Sequence, residues 1–232
     1  MEKIKKHLIV KILVVFFVLL LVVSIGYFVL FQNAIADMSP LNTQEVIPGI
    51  YAIKTNFAGL AVNSYLIEVN NSKQYIAIDA GNRASQTRDE LHSLGISSED
   101  VIALLLTHTH SDHTAALSLF DKAAVYTGDN TKYSKTSATI MDGETIEISG
   151  VSIQCLFTPG HSDDSVCYLI DGQHLFVGDT LSLHDNQVGL LNSFFNKSDD
   201  MQKADIKRLS ELQDVHSIFT AHYGFTDEAI FP

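Results

Sequence analysis

The hydrophobic and polar positions divide the chain into two unequal parts. Residues 12–31 are twenty residues without a single charge, enough for a helix to cross a ~30 Å hydrocarbon core. A short polar stretch with Pro40 follows, at 37–45. Brief apolar runs bounded by Gly, Asn and Asp then take over. Residues 46–55, 61–69 and 74–78 read as strands, the last two joined by the turn Asn70-Asn71-Ser72. Residues 84–94 have helical spacing and are closed by Gly95. The continuous apolar run 101–106 reads as a buried strand. A helix is expected to finish at 115–120 and a short strand at 123–126, while 128–137 is polar and ambiguous. Strands follow at 145–148 and 151–157 around Ser149-Gly150. Two more, at 166–170 and 174–177, flank Asp171-Gly172, a hairpin signal. A helix over 199–212 and a last strand at 217–220 complete the pattern. The order βββ-α-β-α-β, then ββββ-α-β, suits two mixed sheets packed face to face with helices outside. The sequence contains no internal repeat.

The N-terminal segment adds a location. Lys3, Lys5, Lys6 and Lys11 precede the apolar run, and no Lys or Arg occurs from 32 to 53. The positive-inside rule then puts the N-terminus in the cytoplasm and the rest outside. A cleaved signal peptide is the competing reading, because Ala34-Ile35-Ala36 is an A-x-A site; the run is longer than the usual ~7–15-residue apolar region, which favours an uncleaved single-pass anchor. The chain therefore divides into a cytoplasmic flank (1–11), a transmembrane or signal helix (12–31), a linker (32–45) and one domain (46–232), either held at the membrane or secreted after cleavage near Ala36.

Charge narrows the partners. The chain has 15 Lys and Arg against 27 Asp and Glu, a net −12; the first 36 residues hold four Lys and one Glu, leaving 11 against 26, or −15, for the remainder. Such a surface repels phosphate backbones, so no nucleic-acid partner is expected. Cys155 and Cys167 are the only cysteines. Export to an oxidising compartment makes a disulfide between adjacent strands conceivable; two small buried hydrophobes are the preferred reading.

The chemistry concentrates where the run 101–106 ends. Thr107-His108-Thr109-His110-Ser111-Asp112-His113 places three histidines and one aspartate within six residues. Imidazole nitrogen and carboxylate oxygen are the donors that a zinc-type ion takes. His108 and His110, two apart in extended chain, project to one side, and Asp112 and His113 open the following helical turn. One strand-to-helix turn can thus serve two neighbouring ions.

This H-x-H-x-D-H pattern resembles the metallo-β-lactamase superfamily, and its companions are similar in content and order: Ile78-Asp79-Ala80-Gly81, Thr158-Pro159-Gly160-His161-Ser162, Gly178-Asp179-Thr180 and Ala221-His222-Tyr223-Gly224. The resemblance covers about residues 46–224. It implies an αββα sandwich. It implies two divalent ions, zinc first with manganese or iron as alternatives: one on His108, His110 and His161, the other on Asp112, His113 and His222, with Asp179 shared. Ala221 stands where relatives often have Gly, a small change. Asp79 is expected to hold the ligand loop through hydrogen bonds rather than bind metal. Two such ions share a water, lower its pKa and make a hydroxide nucleophile; Asp112 is the candidate for orienting it and passing its proton on. Tyr223 is a candidate oxyanion partner, with ordinary packing preferred. His184 and the apolar tip around Phe57 are candidate pocket residues, and 189–195 is the best guess for a pocket wall. His7, His92, His174 and His216 are expected to be surface or junction residues.

Asp179 counts against antibiotic hydrolysis, since zinc β-lactamases of this type lack it, and the set resembles the glyoxalase II and lactonase branches. The extra helical domain with which glyoxalase II grips glutathione is not expected, because the chain stops soon after His222. The implied function is a dinuclear-metal hydrolase of a small ester, lactone or thioester outside the membrane. A phosphodiesterase, a mononuclear-iron persulfide dioxygenase and a non-catalytic metal-binding module are the alternatives.

Overall fold

A computed structural model describes residues 2–128 and 136–232. Met1 in the basic flank, and 129–135 in the stretch ambiguous from sequence, lie outside the described residues. The chain forms two compact units, Met1–Asp37 and Met38–Pro232.

The first unit is one helix, α1 (Glu2–Ile35), whose portion Ile9–Ile35 is apolar enough to cross a membrane. From Ile9 to Leu30 its large apolar side chains are exposed on every face. An all-round apolar helix of this length needs an apolar surrounding, so it could span a bilayer or act as a signal sequence.

The second unit holds two mixed sheets. The first has the order β1 (Gln44–Ile47), β2 (Ile50–Phe57), β3 (Leu60–Val69), β4 (Gln74–Ile78), β5 (Val101–Leu105), β6 (Ala124–Thr127) and β7 (Thr136–Thr139). Its first four strands are antiparallel and the last four run parallel. Helix α2 (Ala84–Ser93) joins β4 to β5. The second sheet comprises β8 (Thr145–Ile148), β9 (Val151–Phe157), β10 (Val166–Ile170), β11 (His174–Gly178), β14 (Ser217–Thr220) and β15 (Phe225–Thr226), ordered 15-14-11-10-9-8. Between β11 and β14 come a small hairpin, β12 (Ser182–His184) with β13 (Gln187–Gly189), and α4 (Asp199–Ser210).

Two expectations change. The strand read over 46–55 is two strands, because Pro48 lacks an amide donor and Gly49 takes φ +80°, which turns β1 back along β2. The helix expected at 115–120 is a single turn, α3 (Ser111–Thr114), followed by a 3-10 turn over Leu117–Leu119.

Three apolar layers account for the architecture. One lies between the sheets and draws Tyr65, Ile76 and Leu105 from the first and Ile153, Phe176 and Phe219 from the second. Phe176 and Phe219 stack at 4.5 Å, with Tyr65 edge-on to both. A second layer covers the outer face of the first sheet and includes Leu91 of α2; the third covers the outer face of the second and includes Ile206 and Leu209 of α4. The result is helix, sheet, sheet, helix.

The sheets are joined at one end. Tyr168 donates through Oη to Leu106 O (2.7 Å), Val166 N to Thr107 O (2.7 Å), Tyr65 Oη to Thr220 O (2.6 Å), and Asn63 N to Ala221 O (2.8 Å). Each of these bonds ends one or two residues before a histidine of the sequence motifs, His108 or His222. The disulfide alternative fails on register: Tyr168, not Cys167, sits opposite Cys155. A one-residue offset turns the two thiols to opposite faces. Cys155 lies between the sheets and Cys167 under the α4 layer, both buried and free.

Candidate metal centre

Where β5 ends, the chain carries Leu106 and Thr107 into the cluster. Asp79, just past β4, is buried with φ +61°, a left-handed conformation that Asp tolerates better than most residues. That turn aims its carboxylate beneath the loop. Oδ1 accepts from Thr107 N (2.8 Å), and Oδ2 accepts from Thr107 Oγ1 (2.7 Å) and His113 Nδ1 (2.7 Å). Thr107 Oγ1 in turn lies 3.1 Å from His108 Nδ1. His222 Nδ1 is 2.8 Å from Ala61 O, which can only accept. These contacts place the Nδ1 protons of His113 and His222 outward and turn their Nε2 atoms towards the centre.

The second sheet supplies three more turns. His161 follows β9 on Thr158-Pro159-Gly160, held where Gly160 N donates to Asp205 Oδ2 (2.8 Å) and Ser198 N to Gly160 O (2.9 Å). A Cβ on Gly160 would lie 2.4 Å from Gln202 Cα, so glycine lets α4 close on this turn. Asp179 follows Gly178, where φ is +53° and a Cβ would meet Thr107 Oγ1 at 2.6 Å. Thr158 and Thr180 hydroxyls bond each other (2.8 Å), tying these two turns. His222 follows β14.

The seven side chains converge in two groups. In the first, His108 Nε2, His110 Nδ1 and His161 Nε2 are 3.0, 3.2 and 2.9 Å apart. Nitrogens ~2.0–2.1 Å from one tetrahedral ion stand ~3.4 Å apart, close to this spacing. In the second, His113 Nε2 lies 3.5 Å from Asp112 Oδ2 and 3.3 Å from Asp179 Oδ1, and His222 Nε2 is 3.4 Å from each of Asp112 Oδ2 and Asp179 Oδ2. Asp179 Oδ2 is also 3.5 Å from His161 Nε2 and 4.0 Å from His108 Nε2, so one carboxylate faces both groups.

The electrostatics differ between them. Burial, then the neighbouring histidines, pushes His108 well down, and burial takes His161 down to about 4. Burial opposes protonation of His113 and His222 as well, but Asp179 and Asp112 outweigh it; His113 is raised well above its ordinary value and His222 to about 10. Burial would raise Asp112 and Asp179, yet the facing histidines hold both well below the carboxylate range. The buried Asp179 and the half-buried Asp112 thus call for positive charge at this point.

A divalent cation fits. His113 Nε2 and Asp179 Oδ1 are buried with no hydrogen-bond partner among the described residues, although buried polar atoms are normally bonded. Nitrogen and carboxylate donors in this mixture suit zinc or another borderline ion.

Asp112 borders a cavity of about 320 Å³ lined by Phe57, Leu60, Asn82, Arg83, Ser111 and Ala115. The tip residue Phe57 is therefore placed beside the centre. His184 and Tyr223 pack on each other at 5.0 Å, Tyr223 within the α4-side core. The stretch 189–195 adds Leu191 and Phe195 to that core, and Gly189 and Leu190 line a different cavity, against Lys203 and Ile206 of α4. Sequence reasoning missed Asp205 and Gln202. The buried Gln202 receives Leu191 N (3.0 Å) and reaches Asp179 O (3.3 Å).

Residues 58–129 match the family model described as the metallo-beta-lactamase superfamily. Over that stretch the chain matches a metallo-beta-lactamase superfamily domain. Among curated relatives, a probable polyketide biosynthesis zinc-dependent hydrolase of Bacillus velezensis is 30% identical over 142 residues, 57% of this chain and 60% of that protein. A hydroxyacylglutathione hydrolase of Francisella tularensis subsp. novicida is 38% identical over 84 residues, 34% of this chain and 33% of that one. An atrochrysone carboxyl ACP thioesterase of Aspergillus fumigatus is 30% identical over 129 residues, 53% and 40% respectively. The chain spans a third to three fifths of the length of these relatives. The superfamily fold also appears in a metallo-beta-lactamase family protein of Thermus thermophilus, with TM-score 0.58, 21% identity and coverage of 79% of this chain and 76% of that one. Relatives of this superfamily domain are hydrolases, several of them zinc-dependent or thioester-cleaving by name.

Proposed function

We propose that this chain is a dinuclear-metal hydrolase of a small ester, lactone or thioester, working on the outer side of a membrane to which α1 anchors it. The observation that carries the reading is the Asp179 carboxylate facing both donor groups. His108, His110 and His161 would hold one ion, Asp112, His113 and His222 the other, and Asp179 both. When bound, such a pair supplies Lewis acidity to a carbonyl and lowers the pKa of an attacking water towards neutrality.

The chain's own residues divide the remaining work. Asp112 is the least buried member of its group and borders the cavity, which supports the role proposed for its carboxylate: to take a proton from the water and return it to the leaving group. Asp79 keeps the Nδ1 proton of His113 in place, which leaves Nε2 free to coordinate. Phe57 and Leu60 present apolar surface beside Asp112. The name of the thioesterase relative supports the thioester within this class.

The reading is tested on the 232-residue chain in detergent micelles, loaded with zinc and counted by elemental analysis. Two ions per chain and turnover of a thioester, ester or lactone panel are expected. Asp179→Asn removes one charge from a buried cluster, a change of ~3–5 kcal/mol; expressed in a barrier that is a ~10²–10⁴-fold fall in kcat/KM. A single iron per chain in the protein as purified, before zinc loading, or Asp179→Asn with unchanged turnover, overturns the reading.

A further inference from the structure

Arg83 stands out against its surroundings. Among the described residues it is the one cation lining the cavity that contains Asp112. It is exposed, and among the described residues the ion pairs involve other cations. Lys122, Lys197, Lys203 and Arg208 each meet an acid, whereas among the described residues Arg83, like Lys54 and Arg88, does not; what sets Arg83 apart is its place in this cavity. Arg83 is also the N-cap of α2, yet its side chain makes no capping bond and the first turn holds no acid. Ser, Thr, Asp or Asn is the usual residue there, and a cation at a helix N-terminus opposes the dipole. Such a local mismatch is expected where function selects the residue.

The frame around Arg83 is built in advance. The β2–β3 tip turns on Ala58 and Gly59, both at positive φ. Asn56 N donates to Gln86 Oε1 of α2 (2.7 Å), Asn82 N to Thr55 Oγ1 (3.1 Å), and Asn82 Nδ2 to Leu60 O (2.9 Å). Ala80 N bonds His113 O (2.7 Å) and Ala116 N bonds Gly81 O (3.2 Å). Hairpin tip, α2 and the His113 turn are thus locked together, with apolar Phe57 and Leu60, cationic Arg83 and Asp112 lining one cavity.

We infer that Arg83 selects an anionic substrate: an acyl compound whose apolar part lies on Phe57 and Leu60 and whose carboxylate or phosphate pairs with the guanidinium. The inference rests on the hydrolase reading above. A domain of net charge −15 repels anions at range, so a local cation is what admits one. Guanidinium matches carboxylate or phosphate with two parallel hydrogen bonds, which Lys does not reproduce.

The test uses the zinc-loaded 232-residue chain and three thioesters: valeryl-N-acetylcysteamine, its acid-terminated counterpart glutaryl-N-acetylcysteamine, and the valeryl thioester of mercaptopropionate. The second and third put the carboxylate on the acyl and the leaving side. One anionic arm is expected to exceed the neutral one by ~10-fold in kcat/KM, an effect typical of one charge-assisted pair. Arg83→Gln should bring that ratio near one and Arg83→Lys should keep part of it. Equal turnover of all three arms by the wild type, or a ratio that survives Arg83→Gln, overturns the inference. If no arm is cleaved, the thioester reading has failed by itself. Calorimetry with glutarate then decides: binding weakened ~10-fold by Arg83→Gln supports an anion site, and the same affinity in both proteins overturns it.

Discussion

In the first sheet, four donor residues leave one strand end within six positions; in the second, three leave three different strands. The two halves of the centre are therefore supported differently. One buried group, Asp79, reaches Thr107 and His113 directly and His108 through Thr107. In the second sheet the Thr158–Thr180 hydroxyl pair and Gln202 link the turns of His161 and Asp179, but among the described residues no one side chain reaches all three turns. His161 depends on Gly160, Asp205 and the start of α4, Asp179 on the fit of Gly178 against Thr107, and His222 on β3 through Ala61 O and Asn63 N. A concentrated motif concentrates its support in one residue, and a dispersed one spreads it over the fold. Damage to the first should reach both donor groups, and damage to the second should stay local.

Asp79→Asn breaks this contrast most severely. An amide in place of the carboxylate sets an N–H against either Thr107 N–H or the Nδ1 proton of His113. The loop shifts or the imidazole takes its other tautomer, and Nε2 then carries the proton. Support groups of this kind are worth ~10–100-fold in metal affinity. Zinc competition with a chromophoric chelator should show that loss for both ions. Weakening of one ion alone would mean that Asp79 serves only His113.

Gly160→Ala is the local counterpart. Its Cβ would lie 2.4 Å from the backbone of Gln202, so α4 or the His161 turn must yield. Overpacking of this kind costs ~1–3 kcal/mol, a fall of several degrees in Tm at ~2–4 °C per kcal/mol. A Tm within about one degree of wild type would show that the turn and α4 are not tightly coupled, contrary to the spacing seen.

The same contrast explains what could be read in the residues. The cluster from His108 to His113 is legible because its members are neighbours in sequence and chemically unusual. The family match, over 58–129, falls on that half. His161, Asp179 and His222 are legible only as short turn motifs with small residues beside them. Their supports are not: Asp205 is 45 residues from Gly160, and nothing in a helix such as α4 marks which acid turns inward. Arg83 escaped for a similar reason, since a basic residue after a strand is ordinary until the cavity it lines is known. The β1–β2 turn was present as Pro48-Gly49 and was overridden by the apolar run around it. The faces of the cysteines needed the register of β9 on β10, which periodicity alone does not fix.

The cysteines turn that register into a probe of the two layers. Burial, with Glu144 adding to it, pushes Cys155 up to about 12, and burial pushes Cys167 up to about 11. Thiolate is the reactive form, so native protein at pH ~8 should not react with a thiol reagent, and no disulfide should form. The linkage has a definite sign. Both thiols stay neutral in the fold while an unfolded thiol ionises near 9; stability is unaffected below that value and declines from about 9 towards 11–12. The two sites then separate by layer. Cys167 lies under α4 and is uncovered when the helix lifts, whereas Cys155 needs the sheets to part. Local opening costs less than global unfolding, so pulsed labelling in rising urea should modify Cys167 first. Simultaneous labelling would show that α4 and the inter-sheet core open as one unit, and the dispersed supports of the second half would then be as cooperative as the single post of the first.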